Sequence, residues 1–182
     1  MRAKFINEIQ GFERGGDPYK KLGVGRVALI DKWFSNLGIS SDRYTIDKNF
    51  NINVRGGLHL SGTNITSLPD NLSIGWSLDL RGTNITSLPN NLSVGRSLHL
   101  SGTNITSLPN NLSIGWSLNL KGTKITSLPD NLSVGGWLDL RGTKITSLPN
   151  NLSVEEEIWL DEDRKGKVYV PEHLKEKIKY ES

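Results

Sequence analysis

The sequence predicts an α/β repeat solenoid of short parallel strands, with a helical N-terminal cap and a strand–helix C-terminal cap. Three observations point there. A 20-residue block recurs in register five times, each block opens on two leucines two residues apart, and the flanking segments abandon the period. From Leu58 the chain reads LHLSGTNITSLPDNLSIGWS, and from Leu78 LDLRGTNITSLPNNLSVGRS. From Leu98 it reads LHLSGTNITSLPNNLSIGWS, from Leu118 LNLKGTKITSLPDNLSVGGW, and from Leu138 LDLRGTKITSLPNNLSVEEE. Ile158, Trp159 and Leu160 start a sixth copy. The expected division is a capping segment over 1–55, the solenoid over 56–160 and a second cap over 161–182.

In chain order, Asp17-Pro18 is a helix-start signal. Residues 24–37, with Val27, Ile30, Trp33 and Phe34, then read as an amphipathic helix ended by Gly38. Residues 44–54 alternate as strands leading into the first block. Within a block, Leu78 and Leu80 place two side chains on one strand face, and Ile85, Leu88, Leu92 and Val94 complete an apolar set that one copy cannot bury alone. Stacked neighbours supply that burial. The column Thr63, Thr83, Thr103, Thr123 and Thr143 is expected to turn inward and satisfy backbone groups, its hydroxyls forming a ladder. Gly82 and Gly95 suit backbone conformations closed to other residues, and Pro89 ends the strand before a polar turn at Asn90-Asn91. Residues 167–170 read as a strand and 171–178 as a final helix.

The pattern LxLxxTxIxxLPxxLxxxxx, five times in register over roughly residues 56–160, resembles the short bacterial leucine-rich repeat of the IpaH/YopM kind. It departs from that family in placing Thr where the family has Asn. The near-identity of successive copies is also similar to leucine-rich-repeat chains of phages and bacteria. That resemblance implies a leucine-rich-repeat solenoid whose concave sheet binds a partner, and, for a phage-encoded chain, a host factor met in the host cytoplasm.

Function is sought where the copies differ, because the columns that stay the same are accounted for by stacking. The varied columns are Gly56, Trp76, Arg96, Trp116, Gly136, Glu156, and next to them Gly57, Ser77, Ser97, Ser117, Trp137, Glu157. Two more are His59, Asp79, His99, Asn119, Asp139, Trp159, and Ser61, Arg81, Ser101, Lys121, Arg141, Asp161. Read as exposed strand positions, they line the concave sheet at about 4.8 Å per strand. The expected partner-binding residues are Trp76, Arg96, Trp116, Trp137, Trp159, His59, His99, Arg81, Lys121 and Arg141. Trp and Arg dominate binding hot spots. A second reading has Trp76, Arg96 and Trp116 stack on one another as a self-satisfied surface. A protein partner is the expected ligand. The alternative is a nucleotide or short nucleic acid, such as a host immune signalling nucleotide, with a base on Trp76 or Trp116 and phosphates on Arg81, Arg96, Lys121 and Arg141. Asp79 and Asp139, two residues before Arg81 and Arg141, weaken that alternative by neutralising charge locally.

Other classes fit less well. The absence of cysteine excludes disulfides, thiolate metal sites and a cysteine nucleophile. No apolar run reaches the roughly 20 residues of a membrane span and no secretory signal opens the chain, so a cytoplasmic protein is expected. A net charge of +3 does not by itself point to nucleic acid. Ser61, His59 and Asp79, or Ser101, His99 and Asp79, mimic a hydrolase triad, but on a parallel sheet the N–H groups are spent on the ladder and leave no oxyanion hole. His59 and His99 lie about 10 Å apart without a third ligand nearby in sequence, which argues against zinc, and no cofactor is expected. Asn-Ile-Thr at 64, 84 and 104 and Asn-Leu-Ser at 71, 91, 111, 131 and 151 are by-products of the repeat rather than glycosylation sites. Lys124 and Lys144 add a modest basic rim near Lys121 and Arg141.

Overall fold

The computed structural model describes residues 23–181 as a parallel-strand solenoid of 20-residue turns. Asp17-Pro18 lie outside the described residues. The N-terminal helix spans Gly23–Asn36 and stops at Gly38, whose φ of +71° suits glycine at a helix end. Ile30, Trp33 and Phe34 are its buried face, with Val27 only partly covered.

Each turn contains two short strands rather than the single one its leucine spacing suggests. The strands Leu78–Asp79, Leu98–His99, Leu118–Asn119 and Leu138–Asp139 pair in parallel and in register, with Leu58–His59 at one end and Ile158–Asp161 at the other. A second parallel ladder runs through Leu72–Ile74, Ser93–Val94, Ser113–Ile114, Ser133–Val134 and Ser153–Val154. A sharp bend of three residues connects the two strands of a turn. The bonds that flank the leucine ladder include Leu78 N–H to Ser97 O (2.9 Å) and Leu80 N–H to His99 O (2.9 Å). Those that flank the other ladder include Gly95 N–H to Ile74 O (2.8 Å). Between the ladders, Leu78, Leu80, Ile85, Leu88, Leu92 and Val94 and their counterparts fill one continuous core.

The threonines do turn inward. Thr83 Oγ1 donates to Leu80 O at 2.7 Å, and Thr63, Thr103, Thr123 and Thr143 do the same within their own turns. They therefore cap the strand ends separately instead of bonding to one another as a ladder. Gly82 adopts φ +64°, as expected of a position that suits glycine. Gly95 has another reason to be glycine: a Cβ there would lie 2.3 Å from Gly75 O, and at Gly115 2.1 Å from Gly95 O. At these glycines, and at Gly135, the bends of successive turns stack backbone on backbone, which leaves no room for a side chain there.

The ends close the stack. At the N-terminal end Tyr44–Ile46 pairs antiparallel with Ile52–Val54, Phe34 stacks on Tyr44 (ring centroids 4.0 Å apart), and Tyr44 Oη donates to Asp31 at 2.7 Å. Burial and Asp31 push the Tyr44 phenol up to about 12. At the C-terminal end, the expected strand over 167–170 reduces to a single bridge of Tyr169 with Ser147, and the expected helix is a 3-10 segment, Glu172–Lys177. An unforeseen strand, Ile178–Glu181, follows it and pairs in parallel with Ile158–Asp161. The 3-10 segment places Leu174 in the core and points His173 and Lys177 at carbonyls of the last turn, Leu152 O (3.2 Å) and Glu155 O (3.0 Å). Side chains thereby cover the edge of the second ladder.

The crowded bend gives a graded test. Gly122→Ala adds a side chain at φ +70° with nothing within 4 Å and is expected to cost about 1 to 2 kcal/mol. Gly115→Ala must displace the Gly95 carbonyl and is expected to cost more, about 3 kcal/mol. Urea unfolding of the two variants beside the wild type measures the difference, and equal losses would mean that the bends are not in contact.

Candidate functional site

The varied residues do not share one strand. Trp76, Arg96 and Trp116 occupy the bend between the ladders, and Trp137 stands one position further along its own bend. His59, Asp79, His99, Asn119, Asp139 and Trp159 lie across from one another on the leucine ladder, and Arg81, Lys121 and Arg141 follow in the turn after it. The candidate surface thus wraps around one corner of the solenoid.

The bend column is held in register by the backbone. Trp76 N–H donates to Gly56 O (3.2 Å), Arg96 N–H to Trp76 O (3.0 Å) and Trp116 N–H to Arg96 O (2.9 Å). The tryptophans remain largely open, Trp76 at 58% and Trp116 at 48% exposure. Arg96 lies over the Trp76 ring, with its Cζ 5.2 Å from the centroid. Trp116 instead lies over Gly136, where a Cβ would come within 3.2 Å of the ring. The expected three-member stack therefore reduces to one Arg–Trp pair and one ring laid on bare backbone. Gly136, in the varied column but not among the expected binding residues, matters by lacking a side chain, which lets the ring lie on backbone. Beneath it Ser117 is 1% exposed, and its Oγ has no hydrogen-bond partner among the described residues.

The leucine-ladder column behaves differently from its expected exposure. Asp79 and Asp139 are buried, at 5% and 2%, because their arginines fold over them. Arg81 donates through Nε to Asp79 Oδ1 (2.9 Å) and through Nη2 to Oδ2 (2.7 Å), and its N–H also reaches Oδ1. Arg141 grips Asp139 in the same way, also pairs with Glu181, and lies over the Trp159 ring with its Cζ 5.6 Å from the centroid. The Arg81 guanidinium holds the Asp79 carboxyl below the usual carboxylate range, against the opposing effect of burial. Burial pushes His99 below the usual imidazole value, opposed by neighbouring Asp79. His59 is exposed, while Trp137, Trp159, His99 and Arg141 are half-buried. Lys121 is exposed, and its N–H bonds Asn119 Oδ1 at 3.0 Å.

Chemically, the corner offers flat apolar rings and two cations, Arg96 and Lys121, that are not paired with its buried carboxylates. Both oxygens of Asp79 are taken by Arg81, so this carboxylate is not free to orient His59 or His99. Among the described residues no group of three or more His, Cys, Asp or Glu could hold a metal ion, and no helix is long and apolar enough to cross a membrane. No protein-family model matches the chain, and neither does any curated protein or solved structure.

The shifted groups set a pH dependence. The unfolded chain protonates His99 before the folded one does, so stability is full above about 6.5, falls as the pH drops below it, and levels off once folded His99 is also protonated. Asp79 adds a second loss, beginning below about 3.9 and continuing as the pH falls through its depressed folded value. Urea unfolding across a pH series is expected to show both steps, with His99→Gln removing the upper one alone. An unaltered upper step in that variant would dissociate it from His99.

Proposed function

We propose that this chain is a leucine-rich-repeat protein acting as a non-catalytic binding module, which takes a protein partner on the corner formed by the bend column and the leucine ladder. The observation that carries the proposal is the pair of open indoles, Trp76 and Trp116, held on rigid backbone where the rest of each turn is devoted to stacking. Large rings fixed in advance lose little conformational freedom on binding, and such anchors carry most of the energy in protein interfaces.

The charge pattern favours a protein over the nucleotide alternative. Of the four cations available for phosphates, Arg81 and Arg141 are paired with buried carboxylates, which leaves Arg96 and Lys121. Two cations on a mixed-charge surface suit a protein rim better than a phosphate chain. For a phage-encoded chain, as the resemblance to phage repeat chains suggests, the natural partner is a host protein in the host cytoplasm.

The test is capture from host lysate on immobilised wild type, Trp116→Ala, Arg96→Ala and Lys124→Ala, the last substitution lying outside the corner. A specific partner is expected to be retained by wild type and Lys124→Ala and weakened roughly ten- to hundredfold by the other two substitutions. A partner held equally by all four would remove the corner as the binding face.

A further inference from the structure

Three of the four varied columns alternate from turn to turn toward the N-terminal end of the solenoid. Over the first three copies the bend reads Trp76, Arg96, Trp116, the ladder His59, Asp79, His99, and the following turn Ser61, Arg81, Ser101. The leucine columns and the Ile85 column stay the same, although the core column Ile74, Val94, Ile114 alternates with them, so the leucine stack itself does not require the alternation. Because the bend column is in register through backbone hydrogen bonds, Trp76 and Trp116 stand two rungs apart, about 9.6 Å along the solenoid axis.

A polyproline II helix has three residues per turn and rises about 3.1 Å per residue, so like positions recur about every 9.3 Å. We propose that Trp76 and Trp116 form a two-ring register for a proline-rich segment in this conformation, running along the axis with prolines three residues apart, one on each indole. The inference rests on the protein-binding reading and names the chemistry of the partner.

Arg96 supplies the polar contact between the rings. It lies over Trp76, and its side-chain N–H groups have no protein acceptor among the described residues, whereas Arg81 and Arg141 spend theirs on Asp79 and Asp139. A polyproline II segment has no internal hydrogen bonds, so its carbonyls are open to such donors, and proline brings no N–H that needs an acceptor. That one-sided demand matches a site with donors and rings but few free acceptors. A glycan would need acceptors and donors beside the rings, yet Ser97 and Ser117 are buried and Asp79 is occupied. The preformed helix also has little entropy to lose on docking.

The probe is an acetylated peptide of about ten prolines, roughly three turns of that helix, with a Gly-Ser peptide of equal length as control. It is titrated into the full chain while the indole N–H signals and tryptophan emission are followed. Saturable binding is expected, at least about tenfold tighter than the control, with Trp76 and Trp116 signals moving together. Trp76→Ala and Trp116→Ala are each expected to weaken it about tenfold. Both sites are exposed, so these variants fold. The exchange variant R96W/W116R keeps the composition but brings the rings one turn apart, and is expected to weaken binding as much. Undiminished binding by that variant would overturn the register. So would failure of the proline peptide to saturate, or tighter binding of a cello-oligosaccharide or an oligothymidylate at the same rings. If capture of a protein partner still depends on Trp116 and Arg96 while the proline peptide does not bind, the register fails and the binding face survives.

Discussion

The structure depends on equal spacing. Because every turn has 20 residues, equivalent atoms of successive turns meet, and the N–H groups of the ladders find equivalent carbonyls one turn away. A one-residue change of length would carry the leucines of one rung to the outside of the next and strand two ladders of hydrogen bonds at once. The glycines of the bend sharpen this constraint. At Gly95 and Gly115 the backbones of neighbouring turns approach too closely to admit a methyl group, so register is fixed sterically as well as by hydrogen bonding.

Rigid stacking has a corollary for function. Side chains on the bend inherit their spacing from the backbone and need no other support, so a few substitutions in an invariant frame can create a patterned surface. The chain combines two kinds of pattern there. Asp79 and Asp139 with their arginines form closed units that cover the ladder and carry little unpaired charge outward. Trp76, Arg96 and Trp116 remain open, and it is this difference, rather than the bare occurrence of tryptophan, that sets the proposed binding corner apart from the covered ladder.

Much of the fold was legible in the sequence because periodicity carries it. The solenoid, the inward threonines, the helix ended by Gly38 and the strand pair after it all follow from spacing and local backbone preference. The second ladder was not, since Ser93-Val94 contributes only one apolar residue and two residues are too few for strand alternation to register. The C-terminal cap was misjudged for a related reason. The helical spacing of residues 171–178 is real, but Leu174 must reach the core while His173 and Lys177 reach the last turn's carbonyls, and a tighter 3-10 segment achieves this. At the site, residue types were readable but burial was not. Asp79 and His59 hold the same column, one buried under its arginine and one open, and only Arg81 two residues on hinted at the difference.

Since the chain has no cysteine, a pair of spin labels can be introduced without background. Labels at Asn64 and Lys144, equivalent exposed positions four turns apart, measure the stacking repeat itself by dipolar coupling. Stacked, in-register turns predict a narrow distribution near about 19 Å. A broad distribution, or one centred well beyond about 30 Å, would show that the turns do not stack at strand spacing and would contradict the in-register solenoid.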